Sequence, residues 1–132
     1  MKNYAIHSTF EELPEFPEFK PIGLENRELI NHYTINYKPV SCEYSFANLF
    51  CWGELYDFAW SIYNGRLVIS SGVDKQILMP LGRELSFTDL RELHSRMFQM
   101  NPSHNISQVS DDYLIKYPEI SRYYSISGYF IR

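Results

Sequence analysis

The amino-acid sequence predicts an α/β (α+β) fold in which a mainly antiparallel sheet is flanked by helices. Three observations support this prediction: an Asn-Gly pair between two strand-like runs, apolar residues at helical spacing on either side of those runs, and a 45% apolar composition over 132 residues. A chain of this length and composition buries enough apolar surface for one core. We therefore assign residues 1–132 to a single domain.

The strongest local signal is a β-hairpin over residues 56–63 and 66–71. Both runs are rich in aromatic and β-branched residues, and Asn64-Gly65 separates them. Asn and Gly tolerate the positive φ angles of a two-residue turn whose twist matches that of the flanking strands. Residues 76–80 are predicted to be a third strand, because a proline closes the run at a position that needs no backbone donor.

Three segments show the apolar periodicity of amphipathic helices, at residues 24–37, 45–55 and 86–100. The third is the clearest, because Ser86 is a suitable N-cap and Asp89 completes a weak capping box. Its predicted buried stripe consists of Phe87, Leu90, Leu93, Met97 and Phe98.

The remaining segments carry weaker signals. Residues 1–18 are predicted to be an irregular, acidic and solvated arm, because Pro14 and Pro17 each remove a backbone donor. The other predicted elements are an edge strand at 19–22, a short strand near Ile106 and Val109, a short helix at 111–117 and a final strand at 123–132.

The charge pattern argues against direct nucleic-acid binding by this domain. The net charge is −4, and Lys and Arg are scattered singly along the chain. Non-specific binding to nucleic acid depends on clustered cationic side chains that displace counterions. There is no signal-peptide pattern, and no apolar run approaches the ~20 residues of a transmembrane segment. We therefore expect a cytoplasmic protein without a transmembrane segment.

The cysteines indicate neither a disulfide framework nor a metal site. Cys42 and Cys51 are nine residues apart, which is not a metal-ligand spacing, and the four His residues do not complete one. Both cysteines have apolar neighbours, so we expect buried free thiols in a reducing compartment.

Sequence motifs that would carry catalysis are missing. The chain has no Gly-x-Ser-x-Gly elbow and no Gly-x-x-x-x-Gly-Lys phosphate loop. It also lacks the Arg/Gln-x-x-Gly-x-Gly/Ala run with which acetyl-coenzyme A transferases hold a pyrophosphate on backbone amides. We therefore expect no cofactor in this domain and assign no catalytic residue. Gly82-Arg83 is interpreted as a turn, with an anion site as the alternative.

Several single residues allow two interpretations. His94 is a half-exposed structural histidine or a general base. Glu54 and Asp57 are solvated charges or carboxylates with shifted pKa values. Trp52 and Trp60 are core rings or rings that stack on a ligand. We favour the first interpretation in each case.

Residues 45–52, with the sequence Ser-Phe-Ala-Asn-Leu-Phe-Cys-Trp, are followed by Tyr56 and by Pro80-Leu81-Gly82 at a strand end. This pattern resembles the first half of a large bacterial family of uncharacterised proteins. That family is related to the soluble C-terminal domain of phosphatidylglycerol lysyltransferases. The resemblance covers about residues 18–120, and its Phe-x-Asn-Leu-x-x-Trp centre is short but fairly specific.

The resemblance implies two tandem domains of the acyl-coenzyme A N-acyltransferase (GNAT) fold, of which this chain is the N-terminal, non-catalytic half. The second GNAT-like domain would be its partner, and an acyl donor or aminoacyl-tRNA would bind through that domain. The matched residues are expected to be structural, with Asn48 tying its helix to a neighbouring backbone and Trp52 as a core ring. They are Phe46, Asn48, Leu49, Trp52, Pro80 and Gly82.

Two other functions are compatible with the sequence. The chain is alternatively a stand-alone binding module that uses an aromatic surface, since it contains 11 Tyr, 9 Phe and 2 Trp. A complete small N-acetyltransferase is the third alternative, and acetyl-coenzyme A binding would distinguish it from the other two.

Overall fold

Seven strands form one sheet, and helices pack on both of its faces. The structure is a computed structural model that describes residues 13–37, 44–127 and 130–131. The strands are β1 (Lys20–Pro21), β2 (Phe58–Tyr63), β3 (Arg66–Ser71), β4 (Gln76–Leu78), β5 (Asn105–Ser107), β6 (Ile126–Ser127) and β7 (Phe130–Ile131). The helices are α1 (Arg27–Asn36), α2 (Phe46–Cys51), α3 (Gly53–Tyr56), α4 (Phe87–Met100), α5 (Asp111–Lys116) and α6 (Ile120–Tyr123).

The strand order is β1-β2-β3-β4-β5-β7-β6, and the sheet is mainly antiparallel, as predicted. The exception is the β4–β5 pair, which is parallel. Helix α4 connects these two strands, because a parallel neighbour needs a long crossover connection. The mixed α+β class predicted from the sequence is therefore confirmed.

The predicted hairpin is present, with β2 and β3 paired from Phe58↔Ser71 to Tyr63↔Arg66. Its turn has φ angles of 48° at Asn64 and 79° at Gly65, the positive values that this turn requires. The first strand of the hairpin, β2, begins two residues later than predicted, because helix α3 occupies the residues before it.

Two apolar clusters form the core, one on each face of the sheet. Alternation along β3 separates them, since Val68 faces one cluster while Leu67 and Ile69 face the other. Helix α4 covers the first face and helices α1 and α2 cover the second. The helix predicted at 86–100 is confirmed, with Ser86 Oγ accepting a 3.1 Å hydrogen bond from the Asp89 amide. Leu90, Leu93 and Met97 are buried as predicted, but Phe98 is exposed.

Residues 13–18 form no helix or strand, as predicted, but the predicted solvated arm is wrong for Phe16. Residues 1–12 lie outside the described residues. Phe16 is 6% exposed and packs in the α4 cluster. The Phe16 amide donates to the Ile62 carbonyl at 2.8 Å, and the Ile62 amide donates to the Pro14 carbonyl at 2.9 Å. This segment therefore pairs with the end of β2, and Phe16 is buried in the core.

Two further boundaries differ from the prediction. The helix expected at 45–55 is divided into α2 and α3 at Trp52. The strand expected at 123–132 is a helical end followed by the short strands β6 and β7, with residues 128–129 and 132 outside the described residues. The short helix expected at 111–117 is confirmed as α5, with Ser110 as its N-cap.

The expectation of buried thiols is wrong for Cys51, which is exposed on α2 because its helix turns that side away from the sheet. Cys42 lies outside the described residues. Within the described ranges, no group of three His, Cys, Asp or Glu side chains is arranged to hold a metal ion. None of the helices in these ranges is both long enough and apolar enough to cross a bilayer.

Candidate functional site

A cleft opens where the parallel strands β4 and β5 part at their carboxyl ends. The two strands stay in register as far as Leu78↔Ser107, and the Met79 amide then donates to the Ser107 carbonyl at 2.8 Å. Beyond this hydrogen bond the two segments that follow β4 and β5 diverge and leave a cavity of about 140 Å³. Ligands of α/β proteins commonly bind at this edge of a parallel pair, so we take the cleft as the candidate site. It is lined by Tyr37, Tyr44, Met79, Pro80, Leu81, Gly82, Arg83, Glu84, Leu85, Gln108, Ser110 and Tyr113.

A β-bulge aims the segment after β4 into this cleft. Ser70 pairs with Ile77, and Leu67 pairs with Leu81. The segment after β4 therefore has one residue more between these two pairs than β3 has. The Leu67 and Leu81 backbones exchange two hydrogen bonds of 2.8 and 2.9 Å, which restores pairing after the extra residue. Pro80 fits inside the bulge because it has no amide hydrogen to pair.

A buried arginine holds the loop that follows the bulge. Arg66 is 5% exposed, and its guanidinium donates to the carbonyls of Arg83 (2.7 Å), Glu84 (3.2 Å) and Asn64 (3.2 Å). Gly82 passes directly over this side chain with φ 148°, and a Cβ there would lie 2.8 Å from the Arg66 Cγ. The predicted Gly82-Arg83 turn is therefore a tightly packed turn in which only glycine fits without displacement.

Two tyrosine hydroxyls fix the walls of the cleft. Tyr44 donates to the Met79 carbonyl and Tyr113 donates to the Leu85 carbonyl, each at 2.6 Å. Burial is the main cause that raises the pKa of the Tyr113 phenol above its ordinary value. This hydroxyl therefore stays protonated near neutral pH and acts as a hydrogen-bond donor to the loop.

The charged rim of the cleft is a small ionic cluster. Lys116 Nζ lies 2.8 Å from Glu84 Oε2, which also accepts a 2.7 Å hydrogen bond from the Tyr117 hydroxyl. The hydrogen bond from Lys116 is the main cause that lowers the pKa of Glu84, and Tyr117 adds to it. The pKa values of Glu84 and Tyr113 thus move away from neutrality. A general acid or base works best with a pKa near the working pH, so neither group is suited to proton transfer.

The far wall of the cleft contains an unusual backbone conformation. Gln108 follows β5 with φ 62°, in the left-handed region that few residues other than glycine adopt. Ser110 then caps α5 by accepting a 3.1 Å hydrogen bond from the Tyr113 amide. Strained residues of this kind often lie beside binding sites, and here one lies on the cleft wall.

The structure separates the residues that the sequence pattern grouped together. Pro80 and Gly82 line the cleft, and Phe46 and Leu49 are core residues, with exposures of 9% and 0%. Asn48 lies with Trp52 in a second groove at the opposite end of β4. The side chains that hold the cleft loop, Tyr44, Arg66 and Tyr113, were not predicted from the sequence. Among them only Arg66 carried a signal, as a charged residue opening an apolar strand.

The prediction that Trp52 is a core ring is wrong, because 48% of its surface is exposed where α2 ends. Trp60 is a core ring as expected, with an exposure of 2%. His94 is half-buried beside Tyr124, with ring centres 4.6 Å apart, and burial lowers its pKa. Glu54 and Asp57 are both exposed, in agreement with solvated charges.

Comparison with known proteins gives a fold likeness. The sequence matches no protein-family profile. Nor does it match any curated protein sequence. The fold is similar to a crystal structure described as a conserved protein of unknown function from Bacteroides thetaiotaomicron VPI-5482, with a TM-score of 0.68 and 24% identity over 80% of this chain. The matched region spans 36% of that protein's chain. At this identity the likeness shows the fold alone.

Proposed function

We propose that this chain is the N-terminal, non-catalytic half of an acyltransferase- or aminoacyltransferase-like protein built from GNAT-like domains. Its role would be to form one wall of a cleft whose chemistry is supplied by a second GNAT-like domain of the same protein. An acyl donor or an aminoacyl-tRNA would then be bound through that second domain.

The topology supports the GNAT-like part of this proposal. An antiparallel run from β1 to β4 is followed by a helical crossover to the parallel strand β5, and the hairpin of β6 and β7 completes the sheet. This is the arrangement expected of a GNAT-like sheet, in which the ligand cleft lies where the parallel strands separate. The sequence resemblance centred on residues 45–52 points to the same family.

The non-catalytic part of the proposal is supported by the structure of the loop between β4 and α4. A pyrophosphate site in this position would present several free backbone amides, which requires closely spaced glycines. Gly82 is the only glycine between Leu78 and Phe87. The carbonyls of this loop are drawn inward by Arg66 and Tyr113, so the backbone is organised for its own packing. The pKa values of Glu84 and Tyr113 are both shifted away from neutrality.

The fold comparison is compatible with a longer protein. The region matched in the Bacteroides structure is 36% of that chain, which leaves space there for a second unit of similar size. A two-domain arrangement would also give the cleft of this chain a facing surface, which a small open cavity needs if it is to enclose a ligand.

A stand-alone binding module is the second candidate function, and one observation favours it. The exposed Trp52 and its neighbours Tyr56 and Phe58 line a groove that is larger than the cleft. Aromatic side chains that are exposed in a groove are typical of ligand contacts.

Thermal unfolding of the 132-residue chain with saturating acetyl-coenzyme A tests the first proposal. We expect an unchanged midpoint, and inorganic pyrophosphate serves as a control for non-specific anion effects. A ligand at 100 times its Kd would stabilise the folded state by about 2.7 kcal/mol, so binding would be easily seen. A rise in midpoint that is lost in Arg83→Glu would show that this domain binds the cofactor itself and would contradict the non-catalytic role.

A further inference from the structure

The groove that contains Trp52 lies at the amino end of β4, at the opposite end of this strand from the cleft. It has a volume of about 250 Å³ and is formed by helices α2 and α3, the start of β2 and the β3–β4 turn. Its lining residues are Asn48, Trp52, Tyr56, Phe58, Asp74 and Gln76.

Three aromatic rings form a continuous wall on one side of this groove. The rings of Trp52 and Tyr56 meet edge to face, with centres 6.2 Å apart and planes at 65°. The rings of Tyr56 and Phe58 are stacked, with centres 5.6 Å apart and planes at 25°. The faces of aromatic rings carry partial negative charge, so a ring face that is open to the groove attracts a cation.

Hydrogen bonds tie the turn that carries Asp74 to the helix that carries Tyr56. The Ser71 hydroxyl donates to the Tyr56 carbonyl at 3.0 Å and accepts from the Asp74 amide at 3.1 Å. The Val73 amide also donates to the Tyr56 carbonyl, at 3.3 Å. One buried serine therefore links the aromatic helix to the turn that carries Asp74, and the groove is preformed.

The charge at this site is negative and not neutralised. Asp74 is exposed, and its carboxylate makes no ion pair within the part of the chain that the structure describes. The other lining side chains are aromatic rings and two amides, Asn48 and Gln76, so the carboxylate is the single full charge of the groove. The chain as a whole carries a net charge of −4, which adds a long-range attraction for cations.

We propose that this groove binds an organic ammonium group, with the cation against the rings of Trp52, Tyr56 and Phe58 and its charge balanced by Asp74. A compact alkylated ammonium suits the aromatic wall because it is weakly hydrated and loses little on leaving water. The Gln76 amide, which also lines the groove, can hydrogen-bond to a polar atom elsewhere on the same ligand.

This inference goes beyond the proposed function, because it concerns the opposite end of β4 and requires no acyl transfer. A failure of acetyl-coenzyme A to bind leaves the ammonium site unaffected. A failure of ammonium binding leaves the non-catalytic role of the cleft unaffected. The two experiments therefore fail separately.

Choline chloride is the probe for the test, observed through the N-methyl proton resonance as the unmodified chain is added. Ring currents in the groove should shift and broaden this resonance in a saturable way. The matched control is 3,3-dimethyl-1-butanol, which has the same shape without the charge, and sodium chloride keeps the ionic strength equal. We expect choline to bind at least about tenfold more tightly than the alcohol, which corresponds to about 1.4 kcal/mol of charge-dependent affinity.

Variants locate the effect within the groove. Asp74→Asn and Trp52→Leu should each weaken choline binding at least about fivefold, since each removes one part of the cation site. Phe50→Leu is the matched control, because Phe50 is exposed on the same helix but stacks on Phe46 and does not line the groove. Each variant is compared with the parent by thermal unfolding, so that a loss of fold is recognised.

Three results would overturn the proposal. The first is the absence of any saturable choline shift with the parent chain. The second is equal binding of choline and the alcohol, which would make the groove a site for neutral apolar groups. The third is an equal loss of binding in Phe50→Leu and in Trp52→Leu among variants that remain folded, because binding would then occur outside the groove.

Discussion

The two ends of strand β4 are built in different ways. At the carboxyl end, the loop of the cleft is held by buried groups, namely the Arg66 guanidinium and the hydroxyls of Tyr44 and Tyr113. At the amino end, an exposed tryptophan and an exposed carboxylate border a larger groove. One strand therefore separates a loop held by buried hydrogen bonds from a groove bordered by the exposed side chains of Trp52 and Asp74.

This difference shows where a ligand has groups to contact. Hydrogen-bonding groups that are already paired within the fold contribute to stability, and they offer little to a ligand without rearrangement. Exposed rings and unpaired charges contribute little to stability and are free to contact other molecules. Substitutions of the buried groups at the cleft should therefore change the free energy of unfolding, whereas substitutions at the groove should change binding.

The largest expected effect is that of Arg66→Ala. The change leaves three backbone carbonyls without their donor and opens a void under the Gly82 turn. We expect a loss of about 3 kcal/mol or more in the free energy of unfolding, measured by urea denaturation.

Arg83→Ala is the matched control for that substitution, because Arg83 is exposed on the same loop. Its expected effect on the free energy of unfolding is below about 0.5 kcal/mol. Similar losses in the two variants would mean that the cleft loop is not held by the buried guanidinium, and the comparison between the two ends would fail.

A pair of glycine substitutions sharpens the comparison. Gly82→Ala places a Cβ 2.8 Å from the Arg66 side chain at a positive φ, so it should cost about 1–3 kcal/mol. Gly53→Ala, at the start of α3 beside the groove, has no atom within 4 Å of the new Cβ. It should be neutral or stabilise the fold by about 0.4–1 kcal/mol. Thermal unfolding of both variants decides the matter, and a reversed order of stabilities would contradict the account.

The smallest expected effect is a pH dependence that differs between the two ends. At the groove end, burial is the main cause that lowers the pKa of His104 below its ordinary 6.5, and Lys75 adds to it. The unfolded chain therefore binds a proton more readily, and stability falls as the pH drops from 6.5 toward the folded pKa. At the cleft end, the lowered pKa of Glu84 contributes stability that is lost only below its ordinary 4.5.

His104→Gln should therefore flatten the stability profile just below pH 6.5 while leaving the more acidic region unchanged. Some slope should remain, because burial also lowers the pKa of His94. Glu84→Gln should leave the profile just below pH 6.5 unchanged and should flatten it below pH 4.5. Urea denaturation at a series of pH values measures both, and an identical pH profile for the two variants would rule out this assignment.

The sequence predicted those elements whose signals are local. The turn at Asn64-Gly65 and the stripe of Leu90, Leu93 and Met97 depend on neighbouring residues, so both are confirmed. The local pattern at Phe16 predicts an arm, because the residue that pairs with it, Ile62, lies far along the chain. The helical periodicity of residues 45–55 predicts a core position for Trp52, but α2 ends at Cys51 and leaves the ring exposed.

The candidate sites were predicted less well than the fold. Pro80 and Gly82 were identified as a turn at a strand end, but the buried partner of that turn, Arg66, comes from a different strand. Tyr113 reaches Leu85 from α5, and nothing in a single sequence indicates that contact. Polar groups that meet across long separations show no periodicity, so a single sequence indicates their residue types but not their partners.

Acrylamide quenching of tryptophan fluorescence tests most directly whether the groove at the amino end of β4 is open to solvent. The chain has two tryptophans, so Trp60→Phe reports Trp52 alone and Trp52→Phe reports Trp60 alone. Trp52 should be quenched strongly because it is 48% exposed in the groove, and Trp60 should be protected because it is 2% exposed in the core. Equal quenching of the two variants, with both folded, would show that the groove is closed and would contradict the account.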